Sequence, residues 1–139
     1  MKRGAWRRVV WAGVSLAVIL TGCSTLAPES KSPEETVRLR AEERWAALIK
    51  GDFQRAYDLT SPGFRAVVPP DRFASQFGGG GRWTRASVTK VQCEKDRCDV
   101  TVQIDAQVAV RGRAPMMVGS SYDEIWVRED GQWWKFEKL

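Results

Sequence analysis

Asp99-Val100-Thr101-Val102-Gln103-Ile104-Asp105-Ala106-Gln107-Val108-Ala109-Val110 is the stretch that decides the fold. From Val100 to Val110 an aliphatic or small apolar residue stands at every second position, and mostly polar residues stand between. Side chains of an extended chain alternate between two faces, so this period predicts a long strand with one buried face and one wet face. Such a strand needs partners. Ser87 to Cys93 supplies one upstream, joined through Glu94 to Arg97. Downstream, Pro115 to Arg128 and Gln132 to Leu139 predict two more around Glu129-Asp130-Gly131, with Gly131 at the left-handed position of a three-residue hairpin loop. In that register Arg128 pairs with Gln132, Trp126 with Trp134, Glu124 with Phe136 and Tyr122 with Lys138. Paired residues share a face. Tyr122, Glu124, Trp126, Trp134 and Phe136 are therefore expected together, with Ile125, Val127 and Trp133 on the opposite face.

The period is different upstream. Ser32-Pro33-Glu34-Glu35 reads as a helix start, with Ser32 as cap, Pro33 at the first helical position and Glu35 completing a capping box. Val37, Ala41, Trp45 and Leu48 then recur at steps of four, four and three, which lays one apolar stripe along a helix ending at Gly51. Phe53, Ala56 and Tyr57 mark a second, short helix after Asp52. Ser61-Pro62-Gly63 reads as a turn, with Phe64, Val67 and Val68 as core contacts. Pro69-Pro70-Asp71 opens a third helix presenting Phe73 and Phe77. Gly78 to Gly81 separates the helical half from the strands. No Lys-Ser or Lys-Thr follows these glycines, so they read as a flexible crossover and not as a phosphate cradle.

The start of the chain carries a different message. Met1 to Arg8 holds Lys2, Arg3, Arg7 and Arg8 and no acid, and Val9 to Leu20 is apolar except for Ser15. Twelve helical residues span roughly 18 Å against a hydrocarbon core of roughly 30 Å, so the run fits a secretory signal better than a membrane anchor. Leu20-Thr21-Gly22-Cys23 resembles the lipobox of bacterial lipoproteins. The resemblance implies cleavage before Cys23 and a diacylglycerol thioether on its sulfur. Residues 1–22 are then the signal, 23–31 a lipidated tether with Pro28, and 32–139 the domain. Ser24 stands where an aspartate would resemble an inner-membrane retention signal, which points to the outer membrane, facing the periplasm.

Charge and cysteines are then recounted. Removing 22 of the 139 residues leaves 117, enough for one small core. Of 22 basic and 17 acidic residues, four basic ones leave with the signal, so 18 stand against 17. No basic footprint for nucleic acid remains. With Cys23 consumed, Cys93 and Cys98 face each other across one hairpin, and in an oxidising envelope they read as a disulfide. Their four-residue spacing does not match a redox motif. A metal site is the alternative, but two thiols with no histidine make a poor ligand set, so no metal and no cofactor is expected.

The absence of histidine excludes Ser-His-Asp and Cys-His catalysis. The aromatic face is either core, with Glu124 at its rim, or the wall of a pocket formed with Trp45. Its candidate residues are Trp45, Tyr122, Glu124, Trp126 and Trp134.

Arg44 to Phe53, then Ala56-Tyr57 and Ser61-Pro62, together with the ending Trp126 to Trp134, resemble the front half and terminal hairpin of the nuclear-transport-factor-2-like, or cystatin-like, superfamily. The resemblance spans Ser32 to Leu139. It implies an α+β fold, three N-terminal helices packed on a curved antiparallel sheet of four or more strands, shaped as a cone. Enzymes of that superfamily place Asp, His, Tyr or Arg inside the cone. Here His is absent and Asp99 and Asp105 point away from the apolar face, so no catalytic residue is assigned. The expectation is a non-enzymatic binding domain for another envelope component, membrane-bound through its lipid, with a homodimer through the outer sheet face as a further possibility. The alternative is a small-molecule binder or a hydro-lyase- or isomerase-like enzyme using the concave pocket.

Overall fold

The computed structural model describes residues 31–77 and 81–139. The expected signal segment, the expected lipidation position Cys23, the expected tether up to residue 30 and Gly78 to Gly80 lie outside the described residues. Helices α1 (Pro33–Lys50), α2 (Phe53–Asp58), α3 (Pro62–Val67) and α4 (Pro70–Ser75) precede strands β1 (Gly81–Glu94), β2 (Arg97–Val108), β3 (Met116–Glu129) and β4 (Gln132–Lys135). No helix among the described residues is long and apolar enough to cross a membrane.

Helix α1 starts and stops for identifiable reasons. The Ser32 hydroxyl accepts the Glu35 N–H at 3.1 Å, and Pro33 loses nothing at a position whose N–H has no helical partner. At the other end Gly51 takes φ 77°, a left-handed conformation that glycine adopts without a Cβ penalty. There the Gly51 and Asp52 N–H groups donate to the carbonyls of Leu48 and Ala47. The buried stripe contains Val37, Ala41, Trp45 and Leu48, and also Arg44.

Among the described residues four helices form where three were expected. Ser61-Pro62 is a helix start as well as a bend, since the Ser61 side chain accepts the Phe64 N–H and Pro62 occupies the first turn. Phe64 and the following Val68 belong to the buried core as expected, but Val67, at the end of α3, is 64% exposed, contrary to expectation.

The sheet runs β1-β2-β3-β4 with every neighbour antiparallel. Cys98, Val100, Val102 and Ile104 of β2 face the helices, as the two-residue period dictates. On the other side, Asp105 forms an ion pair with Arg85 at 3.0 Å. Register shifts between Trp83 and Arg85 and between Val88 and Lys90 bend β1, which increases twist and curls the sheet over α1.

The terminal hairpin departs from the expected register. Glu129 pairs with Gln132 around only two residues, and both take left-handed conformations, Asp130 at φ 51° and Gly131 at φ 76°. Positive φ at both central positions is the type I′ geometry, which suits Asp-Gly and matches strand twist. One residue less in the loop moves every pair. Trp126 lies opposite Lys135, Val127 opposite Trp134 and Arg128 opposite Trp133, so the expected Trp126–Trp134 pair does not exist. A one-residue slip exchanges the two faces. Trp133 accordingly belongs to the buried core and not to the outer face. Strand β4 ends at Lys135, well before Leu139. Its free edge is covered by the α2–α3 connection: Lys135 N–H donates to Leu59 O at 2.8 Å and Ser61 N–H to Lys135 O at 3.0 Å.

Candidate functional site

The interior of the cone holds charge. Arg44, one residue before Trp45 on α1, turns its guanidinium onto the sheet. Nη1 donates to Glu124 Oε1 at 2.9 Å and Nη2 to Glu137 Oε1 at 2.7 Å. The indole Nε1 of Trp126 donates to the second Glu124 oxygen at 3.0 Å. Lys135, paired with Trp126 across the hairpin, completes the group: its Nζ lies 3.4 Å from Glu137 Oε2 and donates to the Phe136 carbonyl at 2.6 Å. Arg44, Glu124 and Lys135 are all buried. The expected position of Glu124 at the rim is therefore wrong; its carboxylate is one of the most completely buried groups in the domain. Burial alone would penalise so many charges heavily, and pairing with additional hydrogen bonds is what makes them tolerable. Desolvation holds the Lys135 ammonium below the ordinary lysine value, with Arg44 adding to the depression and Glu137 and Glu124 opposing it.

Next to this group lies a cleft of about 220 Å³ between α1, the end of the helical layer and the sheet. Its walls are Trp45, Phe77, Trp83, Ile104 and Tyr122, with Arg44 at the inner end. Trp45 meets Trp83 and Tyr122 edge-on, with ring centroids 5.3 and 5.9 Å apart, and Phe77 meets Trp83 in the same way at 5.7 Å. Such edge-to-face contacts hold aromatic rings in fixed orientations. Two buried donors in the wall residues, Arg44 Nε and Trp45 Nε1, have no acceptor among the described residues.

The five expected pocket residues therefore separate. Trp45 and Tyr122 line the cleft. Glu124 and Trp126 stand behind it in the ionic group. Trp134 is in neither place; it is half-buried under the guanidinium groups of Arg40 and Arg65, 5.0 and 4.8 Å from its ring centre. Cys93 and Cys98 are bonded to each other at the far end of the β1–β2 hairpin, with Cys98 fully buried. Among the described residues no three Cys, Asp or Glu side chains gather in a way that would hold a metal. On the outer sheet face a shallow depression of about 400 Å³ is lined by Lys90, Arg97, Asp99 and Asp123 beside Ile125. That face is more charged than expected, and Trp133 no longer contributes to it.

Arg44, Lys135 and Glu137 were not among the expected site residues. Their signal is present in the sequence. Arg44 falls on the same stripe as Val37, Ala41 and Leu48, and Lys135 stands two residues from Trp133 on one strand face.

No protein-family model matches this chain. No curated protein matches it either. Solved structures do. A SEC-C motif containing protein from Rhodopseudomonas palustris superposes with a TM-score of 0.56 at 18% identity, covering 76% of each chain. The CamKII hub homology domain from Chlamydamonas reinhardtii gives 0.53 at 20% identity, covering 76% of this chain and 94% of that one. A protein of the nuclear-transport-factor-2-like family from Streptomyces avermitilis gives 0.50 at 16% identity, covering 73% and 89%. At these identities the likeness is one of fold. Helices packed on an open four-stranded antiparallel sheet give this domain the nuclear-transport-factor-2-like cone.

Proposed function

We propose that the chain is a cell-envelope lipoprotein, anchored through Cys23 in the outer membrane on its periplasmic side, whose domain binds another envelope component without catalysing a reaction. The observation that carries the binding role is the ionic group. The acids inside the cone, Glu124 and Glu137, are engaged by Arg44, Lys135 and Trp126. A carboxylate whose oxygens already accept hydrogen bonds from fixed donors is poorly placed to take a proton from a substrate. The Cys93–Cys98 bond suits an oxidising compartment, and the near-balanced charge after residue 22 suits a protein partner better than nucleic acid. Hub and association domains among the fold relatives give the binding role a precedent.

Two measurements test this reading. Intact mass of the membrane form is expected to start at Cys23 with acyl chains attached; a mature mass without them overturns the anchor. More than one chain is expected, because a single chain holds only marginally. Crosslinking in intact membranes followed by affinity capture is expected to yield a stoichiometric protein partner. The second reading is a small-molecule binder or hydro-lyase- or isomerase-like enzyme. It rests on the aromatic cleft and the unpartnered Trp45 N–H. An apolar molecule carrying a hydrogen-bond acceptor would satisfy it, and native mass spectrometry detecting such a molecule, lost in Trp45→Phe, would favour it.

A further inference from the structure

Strand β4 covers only part of β3. It pairs with Trp126 to Glu129, and the Phe136 N–H reaches Ile125 O, but among the described residues Met116 to Asp123 has a strand neighbour on the β2 side alone. All eight residues of that stretch are exposed, including Met116 (54%), Met117 (56%), Val118 (42%) and Tyr122 (48%). Met116 to Tyr122 contains no charge and no proline, the devices by which proteins commonly blunt a sheet edge.

We propose that this open edge pairs with the same segment of a second copy of the chain, antiparallel about a two-fold axis at Gly119. An antiparallel continuation of the sheet keeps inner residues on the inner face, so paired positions must share parity. With Gly119 opposite itself, Val118 faces Ser120, Met117 faces Ser121 and Met116 faces Tyr122, each on its own face. The Met116–Tyr122 pair sets a thioether against a ring twice, a favourable contact. Charge selects this occupant. The turn before β3 carries Arg111 and Arg113, both exposed, and the other end of the edge carries Asp123. Antiparallel pairing brings Arg113 of each copy towards Asp123 of the other, two positions along the same face, at both ends of the interface. A groove of about 430 Å³ beside that end, lined by Tyr122, Asp123, Phe136, Glu137 and Lys138, leaves room for the incoming chain. The result is one continuous sheet, six strands across at the two-fold axis with β4 of each copy flanking the seam, held mainly by main-chain hydrogen bonds.

The test is sedimentation velocity of the full-length chain in density-matched detergent. The wild type is expected to form a concentration-dependent dimer that weakens as salt rises, since its end contacts are exposed charges. Val118→Lys with Ser120→Lys sets like charges opposite each other at two symmetric places. It is expected to lower dimer affinity on the order of ten-fold or more. Val118→Lys with Ser120→Glu sets opposite charges in the same places and is expected to restore the dimer. Both variants alter the same exposed positions, so a folding defect common to them would show as failure of the second. A wild type that stays monomeric, a dimer indifferent to the paired lysines, or a lysine–glutamate variant that stays monomeric overturns the proposal.

Discussion

Nη1 of Arg44 stands 2.9 Å from Oε1 of Glu124, with 4% and 0% of the two side chains exposed. The contact ties the middle of α1 to the middle of β3, 80 residues apart in sequence. It sets a charged contact between helix and sheet where apolar packing would otherwise stand, and Glu137 and Trp126 supply the further hydrogen bonds that a buried pair requires.

Breaking that pair from one side should be severe. Arg44→Met leaves Glu124 with one donor, and a loss of about 3 kcal/mol in urea unfolding is expected. Arg44→Met combined with Glu124→Leu removes both charges and is expected to recover most of that loss, because apolar replacements of a buried pair are often neutral. A double variant as unstable as the single one would show the ionic group to be stabilising in its own right.

Lys135 makes stability depend on alkaline pH. Its ammonium is held below the ordinary value of 10.5 by desolvation, so across the window from its folded value up to 10.5 the unfolded chain binds the proton more tightly. Its contribution therefore rises as pH is raised through that window, and below it the full cost of burying the charge is present. The difference in unfolding free energy between wild type and Lys135→Met should narrow as pH rises towards 10.5, with the methionine variant the more stable at neutral pH. A difference independent of pH would mean that Lys135 titrates normally.

The hairpin register distinguishes two adjacent tryptophans. Trp133 is in the core and Trp134 is half-buried beneath two arginines. Trp133→Ala should cost about 3–5 kcal/mol, the usual range for a buried tryptophan. Trp134→Ala should cost about 1 kcal/mol, the scale of its cation–π contacts. Chemical denaturation of both variants decides it, and the reverse order would restore the three-residue loop.

Reducing the Cys93–Cys98 bond should loosen the far end of the β1–β2 hairpin. Replacing both cysteines with serine is expected to lower stability by roughly 2 kcal/mol, from the chain entropy of a closed six-residue loop. Thermal unfolding measured with and without reductant checks this, and identical midpoints would show the bond to be thermodynamically silent.

The sequence by itself determined the α+β class, the long helix from Ser32 to Gly51, the strand through Val100 to Ile104 and the helices-then-strands order. Each rests on local chemistry: a cap, a glycine stop, or a hydrophobic period carried over many residues. The tertiary structure alone decided the register of the last hairpin and the contents of the cone. Gly131 accepts a left-handed conformation in either a two- or a three-residue loop, and only the pairing of Glu129 with Gln132, with Asp130 also left-handed, selects between them. That single residue of shift sent Trp133 inward and placed Lys135 opposite Trp126. Arg44 on a helical stripe looks like a solvated cation until a carboxylate from β3 comes within hydrogen-bond reach. Burial of a charge depends on a partner distant in sequence, and only the folded chain supplies one.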